Sequence, residues 1–169
     1  MHQILGIVTP NDAEDLRNMS KYNDNISDFS HQTIKKIANT YQKELDDQEL
    51  ILSAPSYWRI EHKSKGHDWH YDGCKEADGK LVDNHMAWCN IGTSILLSKS
   101  DEYTGGALKF LVDGQEVTIH NHYLSGVMYS ADKHNNPLKH KVEPHKGNRV
   151  VLLMFFATKP VSQDQLKGN

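Results

Sequence analysis

Along the chain the hydrophobic pattern changes period once, near Leu50. Before it, Phe29, Ile34, Ile37, Ala38, Tyr41 and Leu45 recur at helical spacing, while Lys35, Lys36, Gln42 and Lys43 take the other face. That pattern predicts an amphipathic helix between Asp28 and Leu45 that packs on something larger. A shorter candidate helix covers Asp12–Met19, with Pro10 and Asn11 ahead of it as turn and cap. After Leu50 the apolar runs become short and β-like. They are Ile51–Glu61, Trp69–Asp72, Ile91–Ser98, Ala107–Val112, Gln115–His120, Gly126–Tyr129 and Arg149–Ala157. Gly66, Gly73, Gly79, Gly105-Gly106, Asp113-Gly114, Asn135-Asn136-Pro137 and Gly147-Asn148 punctuate them, and Asp113-Gly114 is a two-residue hairpin signal. Strands at this spacing with no helices between them predict an antiparallel sandwich or barrel, not a parallel sheet. The fold class is therefore mainly β with N-terminal helices buttressing a barrel.

Length and composition place this pattern in one domain: 169 residues, 37% of them hydrophobic, with a mean hydropathy of −0.67. A chain this long keeps roughly two-thirds of its unfolded surface out of water, so it needs no disulfide staples. We expect helical support over about 10–48, the barrel over about 50–158 and a short polar tail at 159–169. Cys74 and Cys89 are the only cysteines and lack the spacing of a zinc or redox pair. A net charge of −3 gives no general grip on nucleic acid or anionic lipid. No apolar run approaches the roughly 18 residues of a membrane span, and Met1–Pro10 does not read as a signal peptide. The expectation is a cytoplasmic protein with neither a membrane nor a nucleic-acid partner.

Eleven histidines are the compositional anomaly. Their abundance alone predicts about one H-x-D by chance, so His70-Tyr71-Asp72 taken singly reads first as an exposed pair at a strand end. On a strand, residues two apart face one side, and a third histidine from another strand would complete a 2-His-1-carboxylate triad with open positions for Fe(II). His140-Lys141-Val142-Glu143-Pro144 supplies one, followed by Gly147-Asn148, Arg149 and the apolar run Val150–Phe156. That run is expected to be buried on both faces. An arginine at its mouth cannot shed its charge, so it calls for an anion such as a dicarboxylate, or else a surface carboxylate.

In this order the motifs resemble the prolyl 4-hydroxylase-like branch of the 2-oxoglutarate/Fe(II) dioxygenases. His70-Tyr71-Asp72 is followed by the strand Thr93–Ser98, by Asp101-Glu102-Tyr103-Thr104-Gly105-Gly106-Ala107-Leu108-Lys109-Phe110, and by His140-x-Val-x-Pro with Arg149 nine residues past the histidine. The resemblance spans about residues 57–158 and implies a double-stranded β-helix of the jelly-roll or cupin type. It implies Fe(II) on His70, Asp72 and His140, and 2-oxoglutarate chelating that metal with its far carboxylate on Arg149. O2 would be consumed, with succinate and CO2 released and ascorbate as an accessory reductant. The implied substrate is a peptide or protein, hydroxylated most plausibly at proline. The alternatives are hydroxylation of a free amino acid or small molecule, and a non-catalytic metal-binding barrel.

The chain departs from its relatives in two places. Leu96 stands where many hydroxylases of this group carry a cosubstrate-binding tyrosine. Ile60 falls where another precedes the first ligand, with Tyr57, Trp58 and His62 nearby. His134 rivals His140 but lacks the Val/Pro sequence after it. His2, His31, His120, His122 and His145 sit in polar contexts and read as solvated, whereas His62, His67 and His85 are candidates for the site mouth. Gly73–Met86, polar and directly after the first two ligands, reads as a loop that the resemblance would make a mobile lid.

Overall fold

The computed structural model describes residues 1–19, 24–62, 65–120 and 122–162; the end of the expected polar tail lies outside the described residues. The first helix, α1 (Pro10–Asn18), starts at a proline whose missing N–H costs nothing there, and the Thr9 hydroxyl accepts from the Asp12 N–H at 3.1 Å. The second, α2 (Gln32–Lys43), begins four residues later than the periodicity predicts. Asp28 instead accepts from the Ser30 N–H at 2.8 Å, which ties residues 28–30 into a turn. Phe29 still reaches the core from that turn, its ring 5.7 Å from Phe156.

The thirteen strands among the described residues follow the hydrophobic pattern only in part. The larger sheet joins β1 (His2–Ile4), β2 (Tyr57–Glu61), β6 (Ile91–Leu96), β10 (Gly126–Ser130) and β13 (Val151–Phe156) in the order β1-β10-β6-β13-β2, all antiparallel. The smaller joins β3 (His67–His70), β8 (Leu108–Val112), β9 (Gln115–Ile119) and β11 (His140–Val142) in the order β3-β11-β8-β9. Two-stranded ribbons pair β4 (Cys74–Ala77) with β5 (Lys80–Asp83), and β7 (Tyr103–Gly105) with β12 (His145–Gly147). This is the mainly β jelly-roll with N-terminal helices that the sequence predicts. Asp113 and Gly114 join β8 to β9 with φ of 50° and 77°, the positive values a two-residue hairpin turn needs.

The helices lie on one face of the larger sheet. Leu16, Ile34, Ile37, Ala38 and Tyr41 pack with Ile60, Ile95, Leu152, Met154 and Phe156. On the other face, Val127 and Tyr129 meet Leu108 and Phe110 of the smaller sheet. Because both faces are covered, β6 and β13 are buried almost throughout, as the apolar run before Ala157 implied.

Four expected elements change. The run from Ile51 becomes a strand only at Tyr57, since Pro55 cannot donate to a ladder. The strand carrying His70 ends there, so Asp72 lies beyond it and not beside His70 on one pleat. The last strand opens at Val151, leaving Arg149 just ahead of it. Gly73–Met86 is no irregular loop: β4 and β5 form a hairpin whose base is fastened by Asn84, which donates to the Asp72 and Cys74 carbonyls at 2.9 and 3.0 Å. No helix among the described residues is long and apolar enough to cross a membrane.

Candidate metal centre

Strand register brings the two histidines together. His140 opens β11 directly opposite His70 on β3 and opposite Phe110 on β8. Side chains of directly paired residues share a face, so the imidazoles meet with ring centroids 4.3 Å apart. Asp72, two residues past the end of β3, turns its carboxylate back between them. Its Oδ1 is 3.3 Å from His70 Nε2 and 3.5 Å from His140 Nε2.

Both rings present the same tautomer. His70 Nδ1 lies 2.7 Å from the Asp68 carbonyl and His140 Nδ1 lies 3.0 Å from the Leu138 carbonyl. A carbonyl only accepts, so each Nδ1 carries a proton, which leaves each Nε2 as the atom that can give a lone pair to a metal at the centre. Two imidazole lone pairs and one carboxylate oxygen form a ligand set suited to Fe(II), and bonds of about 2.1 Å at right angles would separate donors by about 3 Å. The three donor atoms all lie within 4.8 Å of one another, and no fourth His, Cys, Asp or Glu joins them among the described residues. Asp72 is 8% exposed and His140 4%, whereas His70 forms the open side with His67 stacked on it at 3.6 Å. Burial alone would raise the Asp72 carboxyl and lower His140. Their mutual attraction and hydrogen bonding outweigh burial, so Asp72 is held below the ordinary carboxylate range and His140 above the ordinary imidazole value.

Arg149 sits in a second cradle, beside Gly106 and His145. It is 5% exposed, and its Nε has no hydrogen-bond partner among the described residues. Gly106, at φ +70°, makes room for it: a Cβ there would fall 2.5 Å from Arg149 Cδ and 2.7 Å from Nε. His145, on β12, lies against the same glycine and is 6% exposed, not solvated as its polar context implied. Its Nδ1 is also without a partner, and burial followed by the Arg149 charge lowers its basicity. Burial likewise lowers the Arg149 guanidinium from its ordinary value. Arg149 Nε is thus a buried donor with no acceptor, and the partnerless His145 ring nitrogen lies in the same cradle, an arrangement that can receive an anion.

His134 is exposed and apart from the cluster, its backbone N–H donating to Asp132 at 2.9 Å. Ile60 and Leu96, at the two departures, are core residues with no polar group to offer. Sequence reasoning missed Tyr129, whose hydroxyl donates to Asp72 Oδ2 at 2.6 Å and lies 3.4 Å from His140 Nε2. Only the strand pairing places it there. Burial and the Asp72 charge push its phenol well above the ordinary value, keeping the donor proton in place.

No family model and no curated protein matches the chain. Solved structures do. A viral collagen prolyl hydroxylase from Paramecium Bursaria Chlorella virus-1, in its 2-oxoglutarate complex, superimposes with a TM-score of 0.67 at 12% identity, covering 94% of this chain and 96% of that one. A Pseudomonas putida prolyl-4-hydroxylase gives 0.64 at 12% identity, covering 94% and 92%. A 2OG-Fe(II) oxygenase family oxidoreductase from Burkholderia pseudomallei gives 0.60 at 10% identity, covering 90% and 81%. The chain has the 2-oxoglutarate/Fe(II) oxygenase fold. At such low identity the shared property is architecture; the chemistry rests on this chain's own oxygenase-fold residues.

Proposed function

We propose that the protein is a non-haem Fe(II)/2-oxoglutarate-dependent dioxygenase that hydroxylates a peptidyl residue, with prolyl 4-hydroxylation as the specific reaction. The observation that carries this reading is the presence, in one barrel, of the His70–Asp72–His140 donor set and a buried Arg149 whose Nε has no hydrogen-bond partner among the described residues. A barrel that merely bound metal would have no use for a largely buried guanidinium with a spare donor. His70, Asp72 and His140 would hold Fe(II) by three protein donors, leaving positions for a chelating cosubstrate and O2. Bound Fe(II) would supply O2 activation coupled to cosubstrate decarboxylation: substrate C–H, O2 and 2-oxoglutarate become C–OH, succinate and CO2. Ascorbate would serve as an accessory reductant.

The chain's own residues supply binding and orientation. Arg149 would grip the far carboxylate of 2-oxoglutarate through its planar fork, with the buried His145 ring beside the same Gly106. The β4–β5 hairpin directly follows Asp72, and exposed ion pairs hold it to the stretch before His140, between Lys133 and Asp83 and between Lys139 and Glu76. A peptide substrate would lie along that rim. The peptide and proline assignment draws support from the two prolyl hydroxylases whose fold this chain shares.

The test supplies Fe(II), 2-oxoglutarate and O2 with Pro-rich peptides beside free proline. Succinate formation with a one-oxygen mass gain on peptide proline is expected. A gain on free proline alone would replace the peptide reading with the small-molecule one. Metal-loaded protein that yields no succinate with any substrate would leave the non-catalytic barrel.

A further inference from the structure

We propose that Tyr129 is a positioning residue of the metal centre: its hydroxyl holds the outer oxygen of Asp72 so that the carboxylate offers the metal Oδ1 alone. This rests on the reading of His70, Asp72 and His140 as metal ligands. Tyr129 lies on β10 directly opposite Gly92 on β6. A Cβ at position 92 would fall 2.5 Å from Tyr129 Cε2 and 2.7 Å from its oxygen, so the phenol lies over a strand position that no other residue leaves clear. Phe110 packs edge-on at 5.2 Å and the His140 ring sits at 4.7 Å. Clamped this way, a 5%-exposed ring has one orientation, and it delivers the hydroxyl to Asp72 Oδ2 at 2.6 Å, a short charge-assisted bond.

The two carboxylate oxygens therefore have separate tasks. Oδ1 faces both imidazole Nε2 atoms, and Oδ2 accepts the phenol proton. A carboxylate free at both oxygens can bind a metal through both, which would consume a coordination position that cosubstrate and O2 require. Hydrogen bonds to a metal's ligands typically set affinity by about 10–100-fold.

The experiment is an anaerobic titration of wild type, Tyr129→Phe and Gly92→Ala with Mn(II) and with Co(II), without cosubstrate. Tyr129→Phe keeps the ring and removes only the hydroxyl. It is expected to bind metal about 10–100-fold more weakly and to shift the Co(II) visible bands as Asp72 changes its mode of binding. Gly92→Ala keeps the hydroxyl but crowds the ring, so it should weaken binding in the same direction. It carries the test should the phenylalanine variant fail to fold. A folded Tyr129→Phe protein within twofold of wild-type affinity, with unchanged Co(II) bands, overturns the proposal while leaving the ligand assignment standing. A phenolate-to-metal charge-transfer band in Fe(III)-loaded wild type, absent from Tyr129→Phe, would make Tyr129 itself a ligand and equally overturn it. Wild type that binds neither metal overturns both readings.

Discussion

The two sheets of the barrel are built from opposite kinds of strand. In the larger, β6 and β13 are buried almost end to end, with helices on one side and the smaller sheet on the other. In the smaller, β9 is exposed along nearly its whole length and β3 is half-exposed. Its inward positions are largely taken by His70, His140, Leu108 and Phe110. The larger sheet thus spends its sequence on apolar burial, whereas the smaller carries two histidines inward and satisfies them with backbone carbonyls and with Asp72. With Tyr129 on β10 as the exception, apolar burial is concentrated in the larger sheet and the histidine donors in the smaller, and substitutions in the two should fail in different ways.

The largest contrast is between His140→Ala and Leu152→Ala. Loss of a donor from the smaller sheet should reduce succinate formation to background in a protein that keeps its circular dichroism. Leu152→Ala should cost about 2–5 kcal/mol of stability, read from chemical denaturation, while activity per folded molecule stays unchanged. Equal loss of activity per folded molecule in both would erase the division. His134→Ala sharpens it further: this exposed residue six positions before His140 should leave activity at wild-type level.

A smaller effect is expected from Arg149→Lys, which keeps the charge but loses the bidentate fork. The cosubstrate concentration for half-maximal turnover should rise about tenfold, the equivalent of roughly 1.4 kcal/mol, with metal affinity unchanged. Unchanged cosubstrate dependence would remove Arg149 from the anion cradle. The smallest is at the hairpin. Lys139→Ala breaks a 3.0 Å pair with Glu76 that is largely open to water, and stability should fall by less than about 1 kcal/mol.

The same contrast explains what could be read from the sequence. Ile34, Ile37, Ala38 and Tyr41, and the run ending at Ala157, obey strong periodicities because each has an apolar face to bury. Strands β1, β7, β11 and β12 have three residues apiece, and their pairing comes from partners distant in sequence, so no local pattern marks them. The β4–β5 hairpin was misread for a related reason: its residues are mostly exposed, and a polar ribbon held by ion pairs resembles a loop in one dimension. That His70, Asp72 and His140 come together in space was legible, because motif order singles out these two of the eleven histidines and the aspartate beside the first. Tyr129 and His145 were not. Tyr129 depends on the empty position at Gly92 across the sheet, and His145 on the β7–β12 ribbon that turns it inward.

The central claim is that His70, Asp72 and His140 hold an open Fe(II) centre whose cosubstrate reaches Arg149. Anaerobic addition of 2-oxoglutarate to the Fe(II)-loaded protein tests it most directly. A weak visible metal-to-ligand charge-transfer band should appear, saturate with cosubstrate and be absent from His140→Ala. Wild type with Fe(II) bound and cosubstrate saturating, yet with no such band, would contradict the account.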